Sequence, residues 1–229
     1  MITHGFIFAR GGSKGLPRKN VRLLASKPLI QYSIDTAKQV MGIDKVFVST
    51  DDAEIASVAK AAGAILIDRP AVLATDSSPE WLSWQHAIEW VRTNYGDFDE
   101  FVSLPATSPL RDVKDVEGAI LKRKSCGADI CISVTAANRS PYFNMVKAKN
   151  DGFIGLVNEP DSAIFRRQDA PEVFDMTTVV YATTCEFVMN HNSLFEGKTC
   201  CIEVPKVRAV DIDDIYDFML AEAILKEGK

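Results

Sequence analysis

No run of roughly 18 apolar residues occurs in this chain, so a bilayer-spanning helix is not expected. Basic residues are not in excess: the net charge of −5 argues against general nucleic-acid binding, which needs a basic surface. Neither the G-x-x-x-x-G-K-[ST] loop nor the G-x-G-x-x-G fingerprint is present, so most NTPase, kinase and dehydrogenase readings lose their main support. Histidine is scarce, and His4, His86 and His191 are scattered over separate segments with no metal-ligand spacing. The five cysteines (Cys126, Cys131, Cys185, Cys200, Cys201) include no C-x-x-C pair. Adjacent Cys200 and Cys201 are poor partners for each other, so reduced, mostly buried thiols are expected. Met1-Ile2-Thr3-His4 runs straight into a candidate strand, with no basic region or cleavage site. A cytoplasmic location and no membrane partner are therefore expected.

What is present suits one domain spanning residues 1–229, with 47% hydrophobic and 25% charged residues. Short apolar runs at 5–9, 45–50, 64–66, 101–104 and 129–134 read as strands buried on both faces. Helical stretches alternate with them at 28–40, 52–62, 79–94 and 112–124. Gly63 is placed to close the second and Asp112 to cap the fourth. Trp81, Trp84 and Ile88 share one helix face, which reads as core. This rhythm predicts a doubly wound α/β fold with a mostly parallel sheet.

After Val134 the pattern changes. Residues 138–174 are rich in Pro, Asn, Asp and Gly, and Asn150-Asp151-Gly152 separates extended stretches at 143–148 and 153–157. That predicts a projecting β-hairpin. Strand-like patterning returns at 179–182, 186–189 and 201–204, and residues 213–226 form a last helix.

The richest chemistry follows the first strand: Arg10-Gly11-Gly12-Ser13-Lys14-Gly15-Leu16-Pro17-Arg18-Lys19-Asn20. Glycines expose backbone N–H groups and the cations supply charge, so the loop suits a polyphosphate. Polar groups collect at other strand ends as well. Ser49-Thr50-Asp51-Asp52 reads mainly as a helix cap. The loop from Arg69 to Ser77 and Ser78 carries an arginine beside hydroxyls, and Thr107 and Ser108 lie in a proline-bounded turn. Val210-Asp211-Ile212-Asp213-Asp214 puts alternate carboxylates on one side of an extended segment. Such a pair suits Mg²⁺ when phosphates complete its shell, although Asp213 and Asp214 equally suit a helix cap. Arg166 and Arg167, followed by Gln168, read either as a surface pair or as ligand contacts.

In order, these motifs resemble those of the CMP-sialic acid synthetases (acylneuraminate cytidylyltransferases). The first loop matches A-R-x-x-S-K-G-[IL]-P-x-K-N, the Arg69 loop R-P-x-x-L-A-x-D, the turn T-S-P-L-R, the Arg166 segment R-R-Q-D, and the Asp211 segment D-I-D. The resemblance implies a Rossmann-like nucleotidyltransferase fold and transfer of CMP from CTP to a nine-carbon 2-keto sugar acid. It assigns Arg10, Ser13, Lys14, Lys19, Asn20, Arg69, Ser77, Ser78, Thr107, Ser108 and Gln168 to substrate binding. It gives Asp211 and Asp213 to Mg²⁺ (or Mn²⁺), and catalytic roles to Arg167, Asp211 and Lys19. A homodimer is implied, completed by the projecting segment.

The sugar-side residues depart from the family pattern: Pro105 replaces a Gln, Phe143 a Lys, and Asp175-Met176-Thr177-Thr178 an Asn-Gly segment. Legionaminic, pseudaminic and Kdo-like acids are therefore alternative acceptors, and a non-catalytic nucleotide-binding protein is the alternative of another class.

Overall fold

The computed structural model describes residues 1–159 and 166–228. A seven-stranded sheet forms the centre. Its strands are β1 (Thr3–Phe8), β2 (Lys45–Thr50), β3 (Ile65–Asp68), β4 (Glu100–Ser103), β5 (Ile130–Ala136), β6 (Phe174–Thr184) and β7 (Thr199–Glu203). The spatial order is β7-β5-β6-β4-β1-β2-β3. All neighbours are parallel except β6, which runs antiparallel to both β4 and β5. The doubly wound, mostly parallel α/β architecture expected from the alternating pattern is the one observed.

Alternation along the strands explains the layers. On β1, Ile7 points to one core with Val46 and Val48, while Phe6 points to the other with Phe47 and Phe101. The helices α1 (Leu29–Gln39), α2 (Ala53–Ala61) and α4 (Val113–Cys126) cover the first face. The other is covered by α3 (Glu80–Tyr95) and α5 (Cys185–Asn190). Fully burying a ring such as Phe6, Phe47 or Phe101 contributes about 1.5–3 kcal/mol. A third cluster unites Leu16 of the first loop, Leu110, Ile212, and Phe218 of α6 (Ile215–Lys226). The two most polar motifs of the chain are thus joined by apolar packing.

Helix starts follow the expected chemistry. Asp52 caps α2, accepting from the N–H groups of Glu54 and Ile55, and Asp112 caps α4 in a reciprocal box with Asp115. Gly63 follows α2 at φ +85°, a conformation that disfavours a side chain. Residues 186–189 are not a strand: they belong to α5, capped by the Thr184 hydroxyl. The alternation of Phe187 and Met189 suggested a strand, but Phe187 packs edge-on against Trp81 and α5 docks on α3. The thiols are also less buried than expected. Cys131 and Cys185 are buried, Cys200 is half-buried, and Cys126 and Cys201 are exposed.

The largest departure from simple alternation lies in β6. Its register against β5 shifts between Thr177, paired with Ser133, and Tyr181, paired with Ile132, so Thr178, Val179 and Val180 bulge out. The freed carbonyls find partners. Ser133 Oγ lies 3.2 Å from the carbonyl oxygens of Thr177 and Val180. Arg111 donates from Nε to Val179 at 2.7 Å and from Nη2 to Thr178 at 3.3 Å. The same guanidinium donates to the Pro105 carbonyl and to Ser33 Oγ of α1, both at 2.5 Å. Its full burial pulls the pKa down to about 9.

Within residues 138–174, Val146–Ala148 pairs antiparallel with Ile154–Leu156 as a separate two-stranded ladder. The turn contains Gly152 at φ +84°, and Val146, Phe153 and Ile154 are exposed.

Replacing Arg111 by Met is expected to cost roughly 3 kcal/mol or more in urea unfolding, because several buried carbonyls lose their donor at once. A cost under about 1 kcal/mol would contradict this account of the bulge. Conversely, Gly118 of α4 has open space where a Cβ would stand. Gly118→Ala is expected to stabilise the chain by about 0.5–1 kcal/mol, measured the same way.

Candidate active site

The segments that follow the C-terminal ends of β1, β3 and β4 open into one cleft, as parallel sheets arrange their ligand sites. The cleft has a volume of about 330 Å³, and its walls include Arg10, Arg69, Ser78, Glu80, Thr107, Thr178, Asp211 and Asp213. A second hollow, formed by Ser13, Lys14, Gly15, Lys19 and Asn20, shares Phe8, Arg10, Thr107 and Asp213 with it. Most of the residues singled out in the sequence therefore converge on one continuous surface.

The first loop is fastened at several points. Asn20 is buried and donates to the Arg10 carbonyl at 3.2 Å. Asp51, one of the carboxylates read as a cap, instead accepts from the Gly11 N–H at 3.1 Å. Arg18, at φ +57°, donates to Asp52 at 2.7 Å and also bonds Glu54. That contact, with the Ile55 N–H, holds the Asp52 carboxyl below the usual range. Lys19 reaches across to donate to the Ile212 carbonyl at 2.5 Å and lies 3.3 Å from Asp213. Gly15 is needed here because a Cβ would collide with the Asp213 carbonyl oxygen.

The carboxylates divide their tasks. Asp214 caps α6 by accepting from Tyr216 and Asp217 N–H groups, so capping does not use Asp213. Asp211 Oδ1 is buried and has no hydrogen-bond partner among the described residues. A buried acceptor without a donor is costly, and a cation completes such a group. Two carboxylates also suit Mg²⁺, which keeps several waters and phosphate oxygens in its shell. Asp211 and Asp213 therefore fit that ion chemically.

Two cations of the first loop meet a carboxylate that the motif reading had not assigned a role. Asp76 binds Lys14 at 2.5 Å and Arg10 at 2.6 Å, and these contacts hold its pKa down. Arg69 is buried, donating from Nε to Ser49 Oγ at 3.1 Å and from Nη2 to the Ser49 carbonyl at 2.8 Å. Its guanidinium lies 5.5 Å from the centre of the Phe8 ring, and desolvation lowers its pKa. Glu80 opens α3 and reaches the cleft. Surrounding protein pushes its carboxyl up, while Trp84 Nε1, donating to Oε1 at 3.2 Å, works in the other direction.

Other expected contacts fall elsewhere. Ser108 is buried and its Oγ lies 2.7 Å from Thr178 Oγ1, so it braces the wall of the cleft without lining it. Ser77 is exposed beside Thr75 and does not line the cleft. Gln168 lines a separate hollow with Arg139 and Phe174, and the Arg167 side chain lies outside the described part of the structure. Asp76, Glu80 and Tyr181 had been given no role from the sequence, and Thr178 had entered only as the end of the departing Asp175–Thr178 segment. Of the first three, Asp76 alone carried a signal, as the last residue of the Arg69 motif.

Gly15→Ala is expected to part the first loop from the Ile212–Asp213 segment and weaken binding of inorganic pyrophosphate by roughly tenfold or more. Unchanged affinity in calorimetry would show that this close approach does not shape the hollow.

Comparison with known proteins agrees with the geometry. Residues 5–81 match the profile of the cytidylyltransferase family. The post-translational flagellin modification protein B of Campylobacter coli is 32% identical, over 96% of this chain and 94% of that protein. The CMP-N,N'-diacetyllegionaminic acid synthase of Campylobacter jejuni is 31% identical, over 96% of this chain and 93% of that one. A CMP:2-keto-3-deoxy-manno-octonic acid synthetase solved in complex with CTP shares the fold over the full length of both chains, with a TM-score of 0.73 at 18% identity. With the motifs and the cleft they build, this likeness across nearly the whole chain shows that the protein belongs to the CMP-sialic acid synthetase family of cytidylyltransferases.

Proposed function

We propose that the protein transfers CMP from CTP to a nonulosonic acid of the sialic type, releasing pyrophosphate. The observation that carries the reading is the junction at Lys19. One ammonium ties the cationic first loop to the Asp211–Asp213 segment, so phosphate-binding and acidic groups meet in one cleft.

Transfer of this kind depends chiefly on positioning and on neutralising charge. Arg10, Lys14 and Lys19, with the loop N–H groups, hold the triphosphate and favour departure of pyrophosphate. For Arg10 and Lys14 this requires exchanging the Asp76 carboxylate for phosphate oxygens. Arg69 and Asn20 fix the nucleotide. Asp211 and Asp213 would hold Mg²⁺, and the ion would supply charge neutralisation and lower the pKa of a nearby hydroxyl. The anomeric hydroxyl of the sugar acid attacks the α-phosphorus in line. Arg167 serves the sugar side, together with Gln168.

The departures at Pro105, Phe143 and Asp175 favour an acceptor other than N-acetylneuraminate. The relative named for N,N'-diacetyllegionaminic acid makes that sugar the first to try. The exposed apolar residues Val146, Phe153 and Ile154 support a homodimer formed through the projecting hairpin. No helix among the described residues is long and apolar enough to cross a membrane, which accords with a cytoplasmic enzyme.

The test is pyrophosphate release from CTP with Mg²⁺ and a panel of nonulosonic acids. Turnover with at least one acid is expected, and none with any acid would overturn the proposal. Asp211→Asn is expected to lower kcat by about a hundredfold or more at saturating CTP, with a shifted Mg²⁺ dependence. Wild-type turnover in that variant would remove the metal role.

A further inference from the structure

The cleft has two chemically different ends. The end built by the first loop gathers Arg10, Lys14 and Lys19, and is where a triphosphate belongs. Away from the loop the cleft is walled by Leu73, and the Phe8 ring stands where the two hollows join, so a planar base has a flat aromatic face and an apolar side chain to pack against. Two opposite charges face that end. Arg69 has committed Nε and Nη2 to Ser49, and Nη1 has no protein acceptor among the described residues. Glu80 receives Trp84 Nε1 on Oε1, and Oε2 has no protein donor among the described residues. Arg69 and Glu80 both line the cleft and attract one another, yet no ion pair joins them. Together they present a free donor and a free acceptor to the same cleft. Ser78 adds a buried hydroxyl without a partner among the described residues.

We propose that Glu80 sets the base specificity of the enzyme: its free oxygen accepts from the 4-amino group of cytosine, while Arg69 donates to the ring's acceptor side. The inference rests on the cytidylyltransferase reading and adds a residue that discriminates among nucleotides. Cytosine offers two acceptors, O2 and N3, followed by the N4 amino donor, which matches a guanidinium opposite a carboxylate. Uracil replaces that amino group with the O4 acceptor and turns its contact with Glu80 into repulsion. Carboxylates are the side chains that accept from N4 of cytosine in nucleic-acid recognition for the same reason. The Trp84 bond fixes the side chain, so the free oxygen is aimed before the base arrives. Glu80 also feels Asp211, and a role as an additional metal carboxylate is the competing arrangement.

The experiment compares wild type with E80Q, because a carboxamide can turn its NH₂ toward O4 of uracil. kcat/KM is measured for CTP and UTP with one sugar acid, and Kd for CMP and UMP is measured by calorimetry without metal. E80Q is expected to lower the CTP:UTP ratio by about 10- to 100-fold, with the CMP:UMP ratio moving the same way. Ratios unchanged within about twofold overturn the inference, as does an unchanged ratio with a raised Mg²⁺ requirement, which assigns Glu80 to the metal. If E80Q does not fold, Glu80→Asp is titrated with CMP and UMP. A preference for CMP with weakened affinity is expected, and equal affinity for both nucleotides at the wild-type CMP value overturns the proposal. Wild type inactive with every CTP–sugar pair condemns the functional reading itself, whereas active wild type with unchanged E80Q ratios condemns the Glu80 inference alone.

Discussion

The Arg111 guanidinium is the constraint on which the arrangement of the cleft depends. It is fully desolvated and, among the described residues, is held by carbonyls and a hydroxyl instead of a carboxylate. Burying a charge this way is costly unless its donors are satisfied. Here they are satisfied by groups that themselves needed partners: the carbonyls of a bulge in β6 and of the turn after β4. One side chain thereby fixes a helix, a turn and a bulged strand against each other. Ser133 completes the bulge from the other side.

From that point hydrogen bonds run continuously to the first loop. The turn that Arg111 pins presents the Thr107 carbonyl to the Ile212 N–H at 2.8 Å. The Ile212 carbonyl accepts from Lys19, and Asn20 beside it donates to the Arg10 carbonyl. Leu16, Leu110 and Ile212 pack as one apolar cluster beneath these bonds. The acidic segment and the cationic loop are far apart in sequence, yet both are placed by packing against the same turn. Such preorganisation matters for a reaction that relies on charge placement.

Much of this was legible in the sequence because local chemistry writes it there. The alternation of short apolar runs and amphipathic stretches specified the sheet and its helices, and Asp112 and Gly63 marked helix ends. The first loop and the Asp211 segment announced themselves by composition. The rest depends on partners brought together only by folding. The β6 bulge is invisible to a period-two pattern, since Val179 and Val180 look like ordinary strand residues. Residues 186–189 alternate like a strand but are recruited to a helix by the Thr184 cap. Glu80 drew no notice in the sequence, and only the fold brings it to the same cleft as Arg69. Ser108 looked like a ligand contact, and the fold turns its hydroxyl inward to Thr178.

The central claim is that the first loop, the Arg69 loop, the Thr107 turn and the Asp211 segment form one nucleotide site. A crystal structure with CTP and Mg²⁺ tests it most directly. The account predicts phosphates on Arg10, Lys14 and the first-loop N–H groups, the Asp76 contacts to those cations broken, and the base between Phe8 and Leu73. A nucleotide bound elsewhere, for instance in the hollow lined by Arg139 and Gln168, or bound with both Asp76 ion pairs intact, would contradict it.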